Sequence, residues 1–89
     1  MRELRGLTKL TTLYLNRSPS LTDAGLRELR GLTALTMLGL YGCSNVTDVG
    51  LQHISSLPAL IRLNLSRTST TQAGRNALKA ALPALTIRM

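Results

Sequence analysis

Apolar residues recur along this chain in a rhythm that is neither purely helical nor purely extended. Leu7, Leu32, Leu57 and Leu82 stand 25 residues apart, and so do Leu10, Leu35, Leu60 and Leu85. Leu4, Leu29 and Ile54 keep the same step, as do Leu13, Leu38 and Leu63, and again Leu15, Leu40 and Leu65. Residues 2–13 recur as residues 27–38 with ten of twelve positions identical. A fixed period in the range of 20–50 residues is the signature of a repeat architecture.

Each unit combines two local periods. Leu35-Thr36-Met37-Leu38-Gly39-Leu40 ends in apolar/other alternation, the period of a half-buried strand. In Thr47–Leu57, Leu51, Ile54 and Leu57 fall on three-residue steps, one face of a short helix. Thr22 and Thr47 sit where an N-cap belongs, and Asp23 and Asp48 follow in the first turn, where the helix dipole favours a carboxylate. Pro58 and Pro83 mark the return from helix to strand. One such unit is too small to bury its own leucines. Stacked units bury them together, with strands in parallel on one side and helices on the other. Helices are wider than strands, so the stack curves with its strands inside. The predicted strands are Thr12–Leu15, Met37–Leu40, Arg62–Leu65 and Thr86–Arg88.

Side chains in a strand alternate between its two faces. With Leu10, Leu13 and Leu15 inward, Thr12, Tyr14 and Asn16 point to the open face. The second unit presents Met37, Gly39 and Tyr41 there, and the third Arg62, Asn64 and Ser66, with Arg17 and Arg67 at the rim. Three columns result: Thr12/Met37/Arg62, Tyr14/Gly39/Asn64 and Asn16/Tyr41/Ser66. Inward positions are nearly invariant from unit to unit, whereas these columns vary, the expected form of a scaffold that carries recognition residues. The candidate partner-binding set is Thr12, Tyr14, Asn16, Arg17, Met37, Tyr41, Arg62, Asn64 and Arg67, in which Tyr and Arg are the commonest interface anchors.

The run Leu32…Leu35…Leu38-Gly39-Leu40-Tyr41-Gly42-Cys43…Val46-Thr47-Asp48-Val49-Gly50-Leu51 resembles the cysteine-containing class of leucine-rich repeat, over essentially the whole chain. The resemblance implies an α/β leucine-rich repeat solenoid, a short horseshoe arc with parallel strands on its concave face and short helices on its convex face. It implies one domain, residues 1–89, of about three and a half 25-residue repeats: 4–28, 29–53, 54–78 and a partial 79–89. Such repeats occur in the substrate-recognition parts of F-box ubiquitin-ligase subunits, so membership of a ligase assembly is the alternative functional reading. The fold implies no particular function. The third unit departs from the pattern: Thr68 replaces Cys43, Gln72 replaces the aspartate, Arg75 replaces an inward leucine, and one residue is missing before Gln72 and regained within Leu78–Leu82. A polar residue at an inward position is what a terminal, capping-like repeat carries. Residues 1–7 align with 26–32, so the chain opens in mid-helix. The expectation is a fragment of a longer array, or self-association through the uncovered N-terminal leucines and an open strand edge.

Composition sharpens this picture by exclusion. Twenty of 89 residues are Leu, while Phe and Trp are absent and Tyr occurs twice, so the apolar interior is aliphatic. One Cys and one His rule out a zinc site built on those ligands. No apolar run approaches the ~18 residues of a membrane span, and no signal-peptide core is present. An unpaired cysteine without an export signal points to an intracellular, cytoplasmic setting. Eleven Lys and Arg against four Asp and Glu give a net charge of +7, which favours an acidic protein partner or serves plain solubility. Binding of single-stranded nucleic acid wants aromatic side chains among the charges, and two tyrosines disfavour it.

Candidate chemistry is sparse. Cys43 has Ser18 and Thr68 as its equivalents, which fits a small inward side chain bonding the turn backbone. Asp23 and Asp48 should stack as neighbours, and capping accounts for both. His53 lies away from the apolar stripe, a solvated surface histidine with no partner for general-base work. Gly25, Gly50 and Gly74 recur at the repeat spacing and report tight packing at the helix start. Neither a nucleophile elbow nor a phosphate-cradling loop occurs. The expectation is a non-enzymatic, cofactor-free interaction scaffold.

Overall fold

The computed structural model describes residues 9–88. The expectations placed on Leu4, Leu7 and the mid-helix start lie outside the described residues. The elements in chain order are β1 (Thr12–Tyr14), α1 (Asp23–Leu26) running into a 3-10 helix (Arg27–Gly31), β2 (Met37–Gly39), α2 (Asp48–Ile54), β3 (Arg62–Asn64), α3 (Gln72–Ala81) and β4 (Thr86–Arg88). It is a small α/β chain.

All four strands pair in parallel, in sequence order β1-β2-β3-β4. Leu13 pairs with Leu38 and Leu38 with Leu63, so the sheet register equals the 25-residue step of the sequence. Leu63 pairs with Ile87, one residue short of that step. The missing residue falls between Leu85 and Ile87, where Thr86 alone replaces the two residues that separate Leu60 from Leu63. Three of the predicted strands are one residue longer than those formed, although the main-chain ladder continues beyond them: Leu15 N–H donates to Gly39 O at 2.8 Å and Leu40 N–H to Asn64 O at 3.0 Å.

Helical and strand leucines meet in one core. Leu38, Leu40, Leu63 and Leu65 from the strand segments and Leu26, Leu29, Leu51, Ile54, Leu57 and Leu78 from the helical side are all buried. Burial of each such side chain stabilises by roughly 1.5–3 kcal/mol. Leu10, Leu13, Leu15, Leu82 and Ile87 pack against this core but are only partly covered.

The helical segments differ in length for local reasons. The first passes after four residues from α to 3-10 geometry, a tighter coil common in short pieces. The third, Gln72–Ala81, is the longest and absorbs the residue regained before Leu82. Arg75, where the other units place Leu26 and Leu51, is half-buried; its Nη1 donates to Thr70 O at 2.9 Å and its Nη2 to Gln72 Oε1 at 3.3 Å. The guanidinium therefore folds back over the N-terminus of its own helix.

The turns after the strands share one special backbone position. Arg17, Gly42 and Arg67 all have positive φ, at 57°, 74° and 59°. Only glycine adopts that region without cost, so the two arginines carry strain of about 1–2 kcal/mol each that Gly42 avoids.

Candidate functional site

Two sets of side chains connect one unit to the next, one on the helical side and one on the strand side. The helical set corrects the expectation of simple capping. Asp23 does stand in the first turn of α1, but its Oδ1 accepts from the N–H of Thr47 at 2.8 Å and its Oδ2 from the Thr47 hydroxyl at 2.5 Å. Asp48 binds Thr71 in the same way, at 2.8 and 2.5 Å. Each aspartate thus secures the N-cap residue of the following helix. Thr47 and Thr71 in turn accept from Val49 N–H and Gly74 N–H, whereas Thr22 makes no side-chain capping bond.

This clamp explains the recurring glycines. A Cβ on Gly50 would stand 2.5 Å from Asp23 Oδ1, and a Cβ on Gly74 would collide with the Asp48 carboxylate. The hydroxyl of Thr71, then its N–H, then the charge of Arg75 hold the Asp48 carboxyl below the ordinary aspartate value, with partial burial opposing them. Both described aspartates are therefore structural ties.

Cys43 is the small inward side chain expected, and His53 stays at the surface of its helix. Cys43 is fully buried, and its thiol donates to Leu15 O at 3.0 Å, on the preceding strand segment instead of its own turn. Thr68, its counterpart, does bond its own turn, at Leu65 O. His53 is half-buried. Among the described residues, no three His, Cys, Asp or Glu side chains come together in a way that could hold a metal ion. No helix among them is long and apolar enough to cross a membrane.

The strand set forms an open groove of about 480 Å³, within the size range of ligand sites. Of the nine candidate residues, Tyr14, Asn16, Met37, Arg62 and Asn64 line it. At one end the Tyr14 hydroxyl donates to Met37 Sδ at 3.0 Å, and the ring lies against Gly39, where a Cβ would stand 2.7 Å from Tyr14 Cδ1. Tyr14 is nonetheless 62% exposed, the most exposed large apolar side chain described. At the other end Arg62 and Arg88 flank Asn64 and Thr86.

Asn16 and Asn64 are partly committed. Asn16 Oδ1 accepts from Tyr41 N–H, and Asn64 Oδ1 from Ser66 N–H, both at 2.9 Å. Only their Nδ2 groups are left to donate to a ligand. Thr12, Arg17, Tyr41 and Arg67 fall outside the groove. Arg17 lies over the Tyr41 ring at 5.6 Å from its centroid, a cation–π pair of about 0.5–1 kcal/mol.

Thr86 and Arg88 are the polar groove residues missing from the candidate set. Arg88 belongs to the column of Tyr14, Gly39 and Asn64 only because β4 pairs one residue out of step. The signal available in the sequence was Ile87, an apolar residue two positions after Leu85, which fixes its neighbours as outward-facing.

Charge separates across the molecule. The described acidic residues Asp23, Glu28 and Asp48 all lie in helical segments, where Arg27, Arg30, Arg75 and Lys79 also sit. The strand side carries Arg17, Arg62, Arg67 and Arg88 with no acidic residue among those described. No protein-family model matches the chain, and no curated protein matches it in sequence.

Proposed function

We propose that this chain is a leucine-rich repeat module, a short solenoid of about three and a half units, that acts as a non-catalytic scaffold binding a protein partner on its concave strand face. The cysteine-containing repeat pattern supports the family reading, and the equality of sheet register and sequence period between β1, β2 and β3 supports the stacked arrangement. One observation carries the functional reading. Residues at fixed register in the groove vary from unit to unit, whereas the leucines beneath them do not, and the variable face holds the unneutralised positive charge. A partner with an acidic surface is the natural complement.

The test is affinity capture with this chain as bait, repeated with a concave triple variant and a convex control. Tyr14→Ala, Tyr41→Ala and Arg62→Ala together should abolish capture of a given partner, and Arg27→Ala with Arg30→Ala should leave it intact. Capture that survives the triple variant and is lost in the convex one would overturn the assignment of this face.

A further inference from the structure

The groove is not uniform along its length, and its two ends differ in chemistry. One end is apolar: the Tyr14 ring, pinned by its hydroxyl to Met37 Sδ, beside the side-chain-free floor at Gly39. The other is cationic, with Arg62 on β3 and Arg88 on β4 both exposed. Arg62 pairs directly with Met37 across the sheet, and Arg88 lies one strand further and two residues along. Neighbouring strands stand about 4.8 Å apart and strand residues rise about 3.3 Å each, which places the two arginine backbones roughly 5 and 12 Å from Met37.

An extended peptide presents every second side chain to the same side, at steps of about 6.6 Å. A side chain seated on Tyr14 and Met37 is then followed two residues on by one facing Arg62 and four residues on by one facing Arg88. Arginine pairs carboxylates through a forked set of donors, with bonds stronger than neutral ones. The Nδ2 group of Asn64 lies between the arginines and can donate to the peptide backbone.

We propose that the groove recognises an extended acidic peptide segment of a partner, laid across the strands, with an apolar residue followed by acidic residues two and four positions later. This rests on the concave-face reading above and names the partner chemistry for it. Neither end alone defines the ligand. The aromatic end sets the direction of the peptide, and the arginine end supplies positive charge with no acidic residue on the same side among those described.

The experiment is fluorescence anisotropy at physiological ionic strength. The probe is a labelled peptide of serines with leucine at one position and glutamates two and four residues on. Its affinity should fall at least tenfold when both glutamates become glutamine, and severalfold when the leucine becomes serine. It should fall at least tenfold in the Arg62→Ser, Arg88→Ser double variant, whose circular dichroism should match the parent, and remain unchanged in Arg27→Ser, Arg30→Ser. Equal binding of a scrambled peptide with the leucine between the glutamates, or no binding of any peptide, overturns the proposal and leaves the scaffold reading standing. Tighter binding of an oligouridylate to the same arginines also overturns it, in favour of a nucleic-acid face. Loss of peptide binding only in the Arg27, Arg30 variant overturns both the proposal and the concave-face reading.

Discussion

Leucines at the same position of successive units have different fates in the middle of this molecule and at its ends. Leu40 and Leu65 are fully buried, while Leu15, their counterpart in the first unit, is only partly covered. Leu38 and Leu63 are 1% and 2% exposed, but Leu13 and Ile87 at the outer strands are half-buried. The chemistry of these side chains is nearly constant, so the difference comes from their neighbours. Among the described residues a central unit is packed from both sides and an outer strand from one.

The sharpest way to break this comparison is to remove matched side chains from the two regions. Leu40→Ala should cost about 2–5 kcal/mol, because the central site is closed on all sides and a cavity remains. Leu15→Ala should cost about 1–2 kcal/mol, since less apolar area leaves water there on folding. Urea unfolding of both variants measures the pair, and equal losses would show that the outer unit is as tightly packed as the central one.

The clamp on the helical side comes next in expected size. Gly74→Ala gains about 1 kcal/mol in helix propensity, yet the added methyl meets the Asp48 carboxylate and should cost about 1–3 kcal/mol by overpacking. The net loss should vanish or reverse when Gly74→Ala is made in an Asp48→Ala background. A double-mutant cycle reads that coupling. Additive effects would mean that the two residues do not share the site.

Acid should loosen the same joint. The Asp48 carboxyl is held below its ordinary value of 3.8, chiefly by the Thr71 hydroxyl. A depressed carboxyl contributes stability that is fully present above the unfolded value and is lost as pH falls through the folded one. The urea midpoint should therefore drop below about pH 3.8, and Asp48→Asn should lower it at neutral pH while flattening the acid limb. An unchanged acid limb in that variant would place the pH sensitivity elsewhere.

The smallest effect belongs to the turns. Arg67 has φ 59°, at the position where the central unit uses Gly42. Arg67→Gly relieves about 1–2 kcal/mol of backbone strain against about 0.5–1 kcal/mol of added chain entropy, so a gain of up to ~1 kcal/mol is expected. Thermal unfolding should show a small rise in Tm. A fall would mean that the arginine side chain contributes more at the rim than its backbone costs.

The two faces of the sheet were legible to different degrees before any coordinates. Period and alternation placed Leu38, Leu40, Leu51, Ile54 and Leu57 inside and Tyr14, Arg62 and Asn64 on the opposite face, because the face a side chain occupies depends on local spacing. The same reasoning put the aspartates in the first helical turn, where they stand, but did not find their partners. Their position in a first helical turn looks like capping from within one unit, but their hydrogen bonds run to Thr47 and Thr71, 24 and 23 residues further along. It also left Arg88 out of the candidate set, because the single residue between Leu85 and Ile87 shifts the pairing of the last strand by one.

The sequence by itself determined the period, the strand positions, the inward leucines and the aliphatic character of the core. All of these follow from side-chain spacing within a few residues and from the need to remove apolar area from water. Only the tertiary structure decided which side chains meet across units: Asp23 with Thr47, Cys43 with the Leu15 carbonyl, and Tyr14 with Met37. Hydrogen bonds are directional over about 3 Å, and the parallel register of the sheet is what brings such distant residues within that reach.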